Sequence, residues 1–279
     1  MNHFNIQLSL KDIQLKKYIH GLKKLNLNFS FFSVFSYSDK ISNLPKNQNY
    51  ISLAGIKALK ISQDLTPDSF DSLLEFQQQK ERFKNSFFYA NPSYFDQSYY
   101  GLLGLPILND KSQYISLREN LSLSFEEDKF IKPSSDLKGF IGGIIPKGMT
   151  IENFLKTTTL LPNYLEETIL IANIKKIHSE YRFFVINNEV ITGSQYKKED
   201  KVETSILIPD EVQKAAENYS KIYTPDQVFV MDLALLQNGD IEIVEYNCFN
   251  GSGCYDSNMT LVFDILKDIP LKNELIFKL

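Results

Sequence analysis

The sequence predicts an α+β protein, and three stretches carry that prediction. Residues 227–247 read QVFVMDLALLQNGDIEIVEYN, two apolar strands around Asn238-Gly239, the strongest short-range signal for a two-residue type I′ hairpin. Residues 180–196, EYRFFVINNEVITGSQY, read as a second hairpin turning at Asn187-Asn188. Helix-like stretches, of which VQKAAENYSKIY is the clearest, lie between and around the strands without any internal repeat.

Taken in chain order, the first segments mix Lys- and Ser-rich helical stretches with short aromatic strands. These are NFSFFSVFSYS, NYISLAGIKAL, a charged helix near SLLEFQQQKERF, and NSFFYANP. The stretch YYGLLGLPILNDKSQYISLREN reads as a connector and as the domain junction. Next come DKFIKPSSDLKGFIGGIIPKG (strand, turn, strand), the helix-like IENFLKTTT and the strand TILIANIKKI. The two hairpins follow, separated by the helix, and a C-terminal helix is expected to be capped near Asp256 or Ser257. The division this implies is an N-terminal domain over 1–112 and a second over 113–279, itself split near 170–171.

With 279 residues, 43% of them hydrophobic, the chain can bury one elaborate core or two modest ones. A net charge of −4 argues against a general nucleic-acid surface. No signal-peptide core and no apolar run near ~20 residues point to a cytoplasmic protein with no membrane role. Cys248 and Cys254 sit close enough for a disulfide, but two cysteines make no secreted scaffold, and a reducing compartment suits them better.

The chemistry concentrates where the first hairpin ends. Counting back from a type I′ turn pairs Leu236 with Ile241, Ala234 with Ile243 and Asp232 with Glu245, and puts Asn247 on the same face. Two carboxylates with Cβ atoms about 4.5–5.5 Å apart repel. Burying both unpaired is expensive, so a cation belongs between them. Basic side chains satisfy that need, and so does Mg²⁺, which takes carboxylate and amide oxygens and keeps room for phosphates. Asn247 favours the metal, since an ion pair has no use for a neutral amide. Glu245 and Asn247, about 6.6–6.8 Å apart along a strand, can flank two metals ~3.5–4 Å apart. On the repulsion argument, Glu245→Gln leaves the metal-free protein as stable or more so.

Lys132 and Lys138 bracket a Pro-Ser-Ser-Asp turn followed by Gly139, Gly142 and Gly143, an arrangement suited to polyphosphate. Arg182 sits among apolar residues, either paired with Glu180 or another carboxylate, or clamping a transferring phosphoryl group. No GxxxxGK[ST] loop, zinc-ligand spacing or nucleophile elbow is present.

In this order, K-P-x-x-x-x-K-G-F, E-Y-R-F-F-V, M-D-L-A and V-E-Y-N resemble the ATP-grasp superfamily over roughly Tyr114 to Leu266, most of all its compact stand-alone bacterial and phage proteins. The resemblance implies two α+β subdomains gripping ATP, a lid over about 113–170 and a catalytic part over about 171–279, after a smaller α/β domain. It implies that Lys132 and Lys138 hold ATP, with Lys138 and Arg182 catalytic. Ile171, Ala172 and Asn173 would lie where the linker backbone meets adenine, Glu180 would be a candidate ribose acid, and Asp232, Glu245 and Asn247 the Mg²⁺ ligands. The implied activity is ATP-dependent carboxylate–amine (or –thiol) ligation through an acylphosphate. Its substrates would be a small-molecule or peptide carboxylate and an amine, and the enzyme a monomer or homodimer. The alternatives are a nucleotide-binding regulatory protein without ligation, and a structural protein whose acids are salt-bridged.

Overall fold

Three sheets account for the named strands of the computed structural model, which describes residues 2–8, 10–34, 41–42, 50–54, 77, 86–87, 92–135, 139–160, 164–199 and 201–270. The charged helix near SLLEFQQQKERF, apart from Gln77, and much of the neighbouring aromatic segments lie outside the described residues, as does Lys138.

The N-terminal sheet has the order β3-β2-β1-β4-β5, from β1 (His3–Gln7), β2 (Phe29–Val34), β3 (Ile41–Ser42), β4 (Tyr50–Leu53) and β5 (Ser86–Phe87). Strand β1 runs parallel to β2 and β4, with helix α1 (Asp12–Lys24) making the crossover to β2. The short helix α2 (Gln97–Tyr100), capped by the Asp96 carboxylate accepting from Ser98 N–H, begins the connector. Four strands, β6 (Gln113–Ser116), β7 (Lys129–Pro133), β8 (Gly143–Ile145) and β9 (Thr168–Ala172), make an antiparallel sheet ordered β6-β9-β7-β8. Helix α3 (Ile151–Leu155) packs Ile151, Phe154 and Leu155 into its core and starts at Thr150, whose hydroxyl accepts from Asn153 N–H.

The central sheet has the order β12-β11-β10-β13-β14. Its strands are β10 (Ile177–Ile186), β11 (Glu189–Lys198), β12 (Lys201–Ser205), β13 (Val228–Leu236) and β14 (Ile241–Cys248), with α4 (Asp210–Ile222) and α5 (Met259–Leu266) beside them. Strands β10 and β13 are buried on both faces, which is why their sequences are nearly continuous apolar runs. Tyr181, Phe183, Val185, Met231 and Leu233 share one core with Phe32, Tyr50, Phe95 and Tyr100 of the N-terminal region. Phe184, Ile186, Val228 and Val230 share another with Phe4 and Ile6 of β1 and with α1 and α5. Burying each such side chain contributes ~1.5–3 kcal/mol, so the N-terminal and central sheets are fused energetically. The four-stranded sheet keeps a core of its own.

Both expected hairpins form, with opposite turn chemistry. Asn187 and Asn188 both have positive φ, 50° and 67°, as a type I′ turn requires, and Ile186 faces Glu189. In the Asn-Gly pair only Gly239 is left-handed, at φ 91°. Gly239 N–H donates to Leu236 O at 3.0 Å and Leu236 N–H donates to Asp240 O at 2.8 Å, so the loop holds three residues. The register near the tip therefore slips, and Leu235 rather than Leu236 faces Ile241. A bulge at Val244 takes up the extra residue and restores Asp232 opposite Glu245. Its consequence is a swap of faces: Val244 packs with Ala234 and Leu236, and Ile241 and Ile243 join the opposite core, reversing the pattern the simple count gives. The capping expectation also fails, because α5 begins after Asn258, which makes no side-chain cap bond.

Candidate active site

A row of side chains crosses the central sheet where its apolar face gives way to charge. Ser194 of β11 pairs with Arg182 of β10, Arg182 with Asp232 of β13, and Asp232 with Glu245 of β14. Lys132, at the end of β7 in the other sheet, completes the row by meeting Glu245 Oε2 at 3.0 Å. Along the line the charges run plus, minus, minus, plus. The two acids expected to repel are thus each neutralised by a basic side chain.

The two pairs differ in kind. Arg182 donates from Nε to Asp232 Oδ1 at 2.8 Å and from Nη2 to Oδ2 at 2.7 Å, a two-bond fork. Arg182 and Asp232 are 8% and 1% exposed. Nη1 donates to Gly253 O at 3.2 Å, and the guanidinium carbon lies 5.5 Å and 5.2 Å from the ring centres of Tyr196 and Tyr255, which stack on each other. Burial by itself would lower the Arg182 pKa, but the charge and hydrogen bonds of Asp232 outweigh it and raise it above its ordinary value. This cation is permanent and fixed. Lys132 holds Glu245 by a single contact, on a flexible stem and across two sheets.

Asn247, 4% exposed, donates from Nδ2 to Asp232 Oδ2 at 3.2 Å, joining the cluster as the register count expects. Glu180, two residues before Arg182, accepts from Lys197 Nζ at 2.8 Å and from the Tyr196 hydroxyl. Burial first, then the charges of Asp232 and Glu180, push that hydroxyl well above its ordinary pKa, so it keeps the proton it donates. Ile171 and Ala172 lie at the end of β9, beside the strand that carries Lys132, and Asn173 accepts from Lys129 Nζ at 2.6 Å. Residues 173–176 then connect β9 to β10, that is, one sheet to the other. Lys175 in this connector meets Glu242 at 2.8 Å and Asp110 at 3.3 Å.

Some of the surroundings carry no signal in the sequence. Tyr196 and Tyr255 enclose Arg182, and Lys17 of α1 donates to Asp256 at 2.7 Å and to the Tyr255 carbonyl. Tyr255 has φ 41°, an uncommon conformation for an aromatic residue, and holds its ring against the cluster. Only that backbone outlier could single it out, and it is invisible in a string of letters.

Glycines shape the approach from the other sheet. A Cβ on Gly142 would sit 2.5 Å from Lys132 Cβ and 2.9 Å from Ile131 O. Gly142→Ala is therefore expected to cost about 1–3 kcal/mol, since backbone has to yield. It should also weaken whatever Lys132 binds. A denaturation midpoint unchanged from wild type would show that the strand gives way freely.

Neither cysteine is in a disulfide, and both are buried. Burial pushes the Cys254 thiol up to about 11 from its ordinary value of 9.0, with Lys17 opposing. A folded state that keeps its thiol protonated is at full strength below pH about 9 and weakens as pH rises towards 11. Alkaline melts should show this slope, and Cys254→Ala should flatten it.

The donor set can be tested against a metal. Among the described residues no group of three or more His, Cys, Asp or Glu is placed to hold an ion. Asp232, Glu245 and Asn247 offer two carboxylates and an amide, all hard oxygen donors in one row. That suits Mg²⁺, which commonly takes one or two carboxylates and draws its other ligands from phosphate and water.

The sequence of residues 76–269 matches the model of an ATP-grasp domain, family 3 of its clade. The chain belongs to the ATP-grasp family. The match spans more than half of the chain and begins upstream of Tyr114, the approximate start of the stretch over which the motifs show the resemblance. Among solved structures, the D-alanine–D-alanine ligase from Bacillus anthracis complexed with ATP superposes with a TM-score of 0.58 at 12% identity, over 99% of this chain and 94% of that one. The macrocyclase MdnC bound with precursor peptide MdnA, from Microcystis aeruginosa, gives 0.51 at 12% identity, over 96% and 100%. The ATP-grasp ligase PsnB, in complex with a precursor variant, Mg and ADP, gives 0.50 at 13%, over 89% and 90%. At such identities the likeness is one of fold, and the ATP-grasp α+β fold is the one the motifs imply. No curated protein matches the chain in sequence. Among the described residues no helix is long and apolar enough to cross a membrane.

Proposed function

We propose that this ATP-grasp protein is an ATP-dependent carboxylate–amine (or –thiol) ligase working through an acylphosphate. The observation that carries the proposal is the row Arg182–Asp232–Glu245, met by Lys132 from the facing sheet. In this reading the β6–β9 sheet is the lid, Lys132 and Lys138 bind phosphate, and the ends of β9 and its connector, at Ile171, Ala172 and Asn173, meet adenine. Glu180 is the candidate ribose acid, although Lys197 and Tyr196 already engage it.

A substrate carboxylate oxygen attacks the γ-phosphorus, the bond to the β-phosphate oxygen breaks, and ADP leaves. The amine then attacks the acyl carbon, loses a proton, and expels phosphate. Arg182 is the electrostatic clamp. It has five N–H donors, and three bonds to Asp232 and Gly253 leave donors for a phosphoryl oxygen. Asp232 holds the guanidinium's orientation, which is the positioning on which phosphoryl transfer depends. Asp232, Glu245 and Asn247 would hold Mg²⁺, which when bound neutralises charge on the phosphoryl oxygens.

The neighbours just described act on a small amino acid or bind a precursor peptide, and both substrate classes fit this reading. The test is release of ADP and phosphate that depends on an added carboxylate and amine, with the ligated product seen by mass spectrometry. Binding of Mg-ATP with no such release from any substrate class would leave a nucleotide-binding regulatory protein.

A further inference from the structure

We propose that the outer face of α1, with the groove it forms against the start of α5, is a docking surface for an acidic polypeptide segment. The proposal goes beyond the ligase reading and does not depend on it.

Residues 11–24 hold five lysines, His20 and a single acid, Asp12, so they carry a formal +4 in a chain whose net charge is −4. Tyr18, Gly21 and Leu22 turn the inner face of α1 to the core, and Ile13, Lys16, His20, Lys23 and Lys24 stay exposed on successive turns. Lys23 and Lys24 lie in the last turn, where the helix dipole favours cations. Lys16, Lys17 and His20 lie earlier and gain nothing from it. Among the described residues an ion pair is made by Lys17 alone of these lysines, with Asp256 at 2.7 Å. A face of one sign on a chain of the other steers a complementary partner towards it.

The charge coincides with a shape. Lys16, Lys17 and His20 line one wall of a groove of about 370 Å³, and residues 256–260 line the other, Met259 among them. The groove adjoins the charged row. Lys17 donates to the Tyr255 carbonyl, the Tyr255 ring lies against Arg182, and Ser257 Oγ is 3.1 Å from Oγ of Ser194, the register partner of Arg182. Lys17 and Asp256 are each about one-third exposed, at 32% and 34%, so an incoming carboxylate can share Lys17 without uncovering a buried charge. Two features favour a peptide over a nucleic acid. Ile13, 73% exposed and one turn before Lys16 and Lys17, offers an apolar contact that a phosphate backbone does not use. Asp256 in the groove repels a polymer charged at every step, whereas a peptide can set a neutral residue there.

Fluorescence anisotropy of the full chain with a labelled peptide of alternating Glu and Leu tests the proposal. The wild type should bind this peptide and not its Lys-Leu counterpart. Lys16→Glu combined with Lys23→Glu should weaken binding about tenfold, as two exposed contacts turn repulsive. Lys214→Glu combined with Lys221→Glu on α4 changes the net charge equally and should leave the affinity within about twofold. In the wild type, hydrogen exchange should slow at residues 256–260 when the peptide is added, a readout that needs no variant. No binding to the wild type overturns the proposal, and so does an equal loss in both double variants, which would reveal only a diffuse field. Unchanged exchange at 256–260 removes the groove from it. A single-stranded oligonucleotide that binds more tightly than the peptide, and loses affinity in the α1 variant, makes this a nucleic-acid surface instead. Release of ADP and phosphate, the test of the ligase reading, is untouched by any of these outcomes.

Discussion

Replacing Asp232 with alanine is expected to destabilise the protein by about 3–5 kcal/mol. The loss comes from what stays behind: Arg182 is 8% exposed, and without Asp232 its guanidinium keeps, among the described residues, the Gly253 carbonyl and two aromatic faces. The hydrogen bond from Asn247 Nδ2 to Asp232 is lost in the same step. A melting temperature lower by roughly 10 °C would accompany a loss of this size. Asp232→Asn should fall between, since an amide offers the fork one carbonyl oxygen. The double variant Arg182→Leu with Asp232→Leu should regain most of the stability, because the buried charge goes together with its partner. Urea melts of the three variants check this. A loss below about 1 kcal/mol in Asp232→Ala would mean that the guanidinium finds water or another acceptor, as exposed pairs do.

Saturating Mg-ATP should stabilise the wild type by about 2.7 kcal/mol at a hundredfold excess over Kd. Glu245→Gln should lose the magnesium-dependent part of that gain. The metal-free variant tests a reversal of sign. Repulsion between the two acids, taken alone, says that the substitution is harmless or favourable. With Lys132 at 3.0 Å from Glu245, it instead strands an ammonium. The expected loss is about 1–3 kcal/mol, less than the ~3–5 of a fully buried pair because both side chains keep some solvent. Thermal melts with and without Mg-ATP separate the contributions. A metal-free variant more stable than wild type would show that Lys132 does not hold Glu245 in solution.

The charged row was legible because its members break the pattern of the strands that carry them. Arg182, Asp232, Glu245 and Asn247 stand in apolar runs where a polar side chain needs a partner, and pairing two strands by count places three of them together. The count reached Asp232–Glu245 by a wrong route. It assumed a two-residue turn, and the one-residue slip at the tip is cancelled by the bulge at Val244. Neither irregularity can be read from Asn-Gly alone, since the same dipeptide serves a type I′ turn and a glycine bulge. What stayed hidden is non-local. Tyr196, Tyr255 and Lys17 reach the site from β11, a loop and α1, and their residue types are ordinary at those positions. The pairing of Lys132 with Glu245 joins residues 113 positions apart, on different sheets, so only the folded arrangement reveals which cation meets which acid.

The separate core of the four-stranded sheet has a consequence for how the protein breathes. Leu117, Ile131, Phe140, Ile145, Phe154 and Ile169 pack among themselves, whereas the other two large cores each draw residues from both the N-terminal and the central sheet. Amide hydrogen exchange should therefore divide the backbone into two cooperative units. Amides of β7 and β9 should exchange through a sub-global opening of lower free energy, and Mg-ATP should slow them most. Amides of β1 and β10 should exchange together, at the slow limit set by global unfolding, because neither strand can open without uncovering the apolar surface of the other.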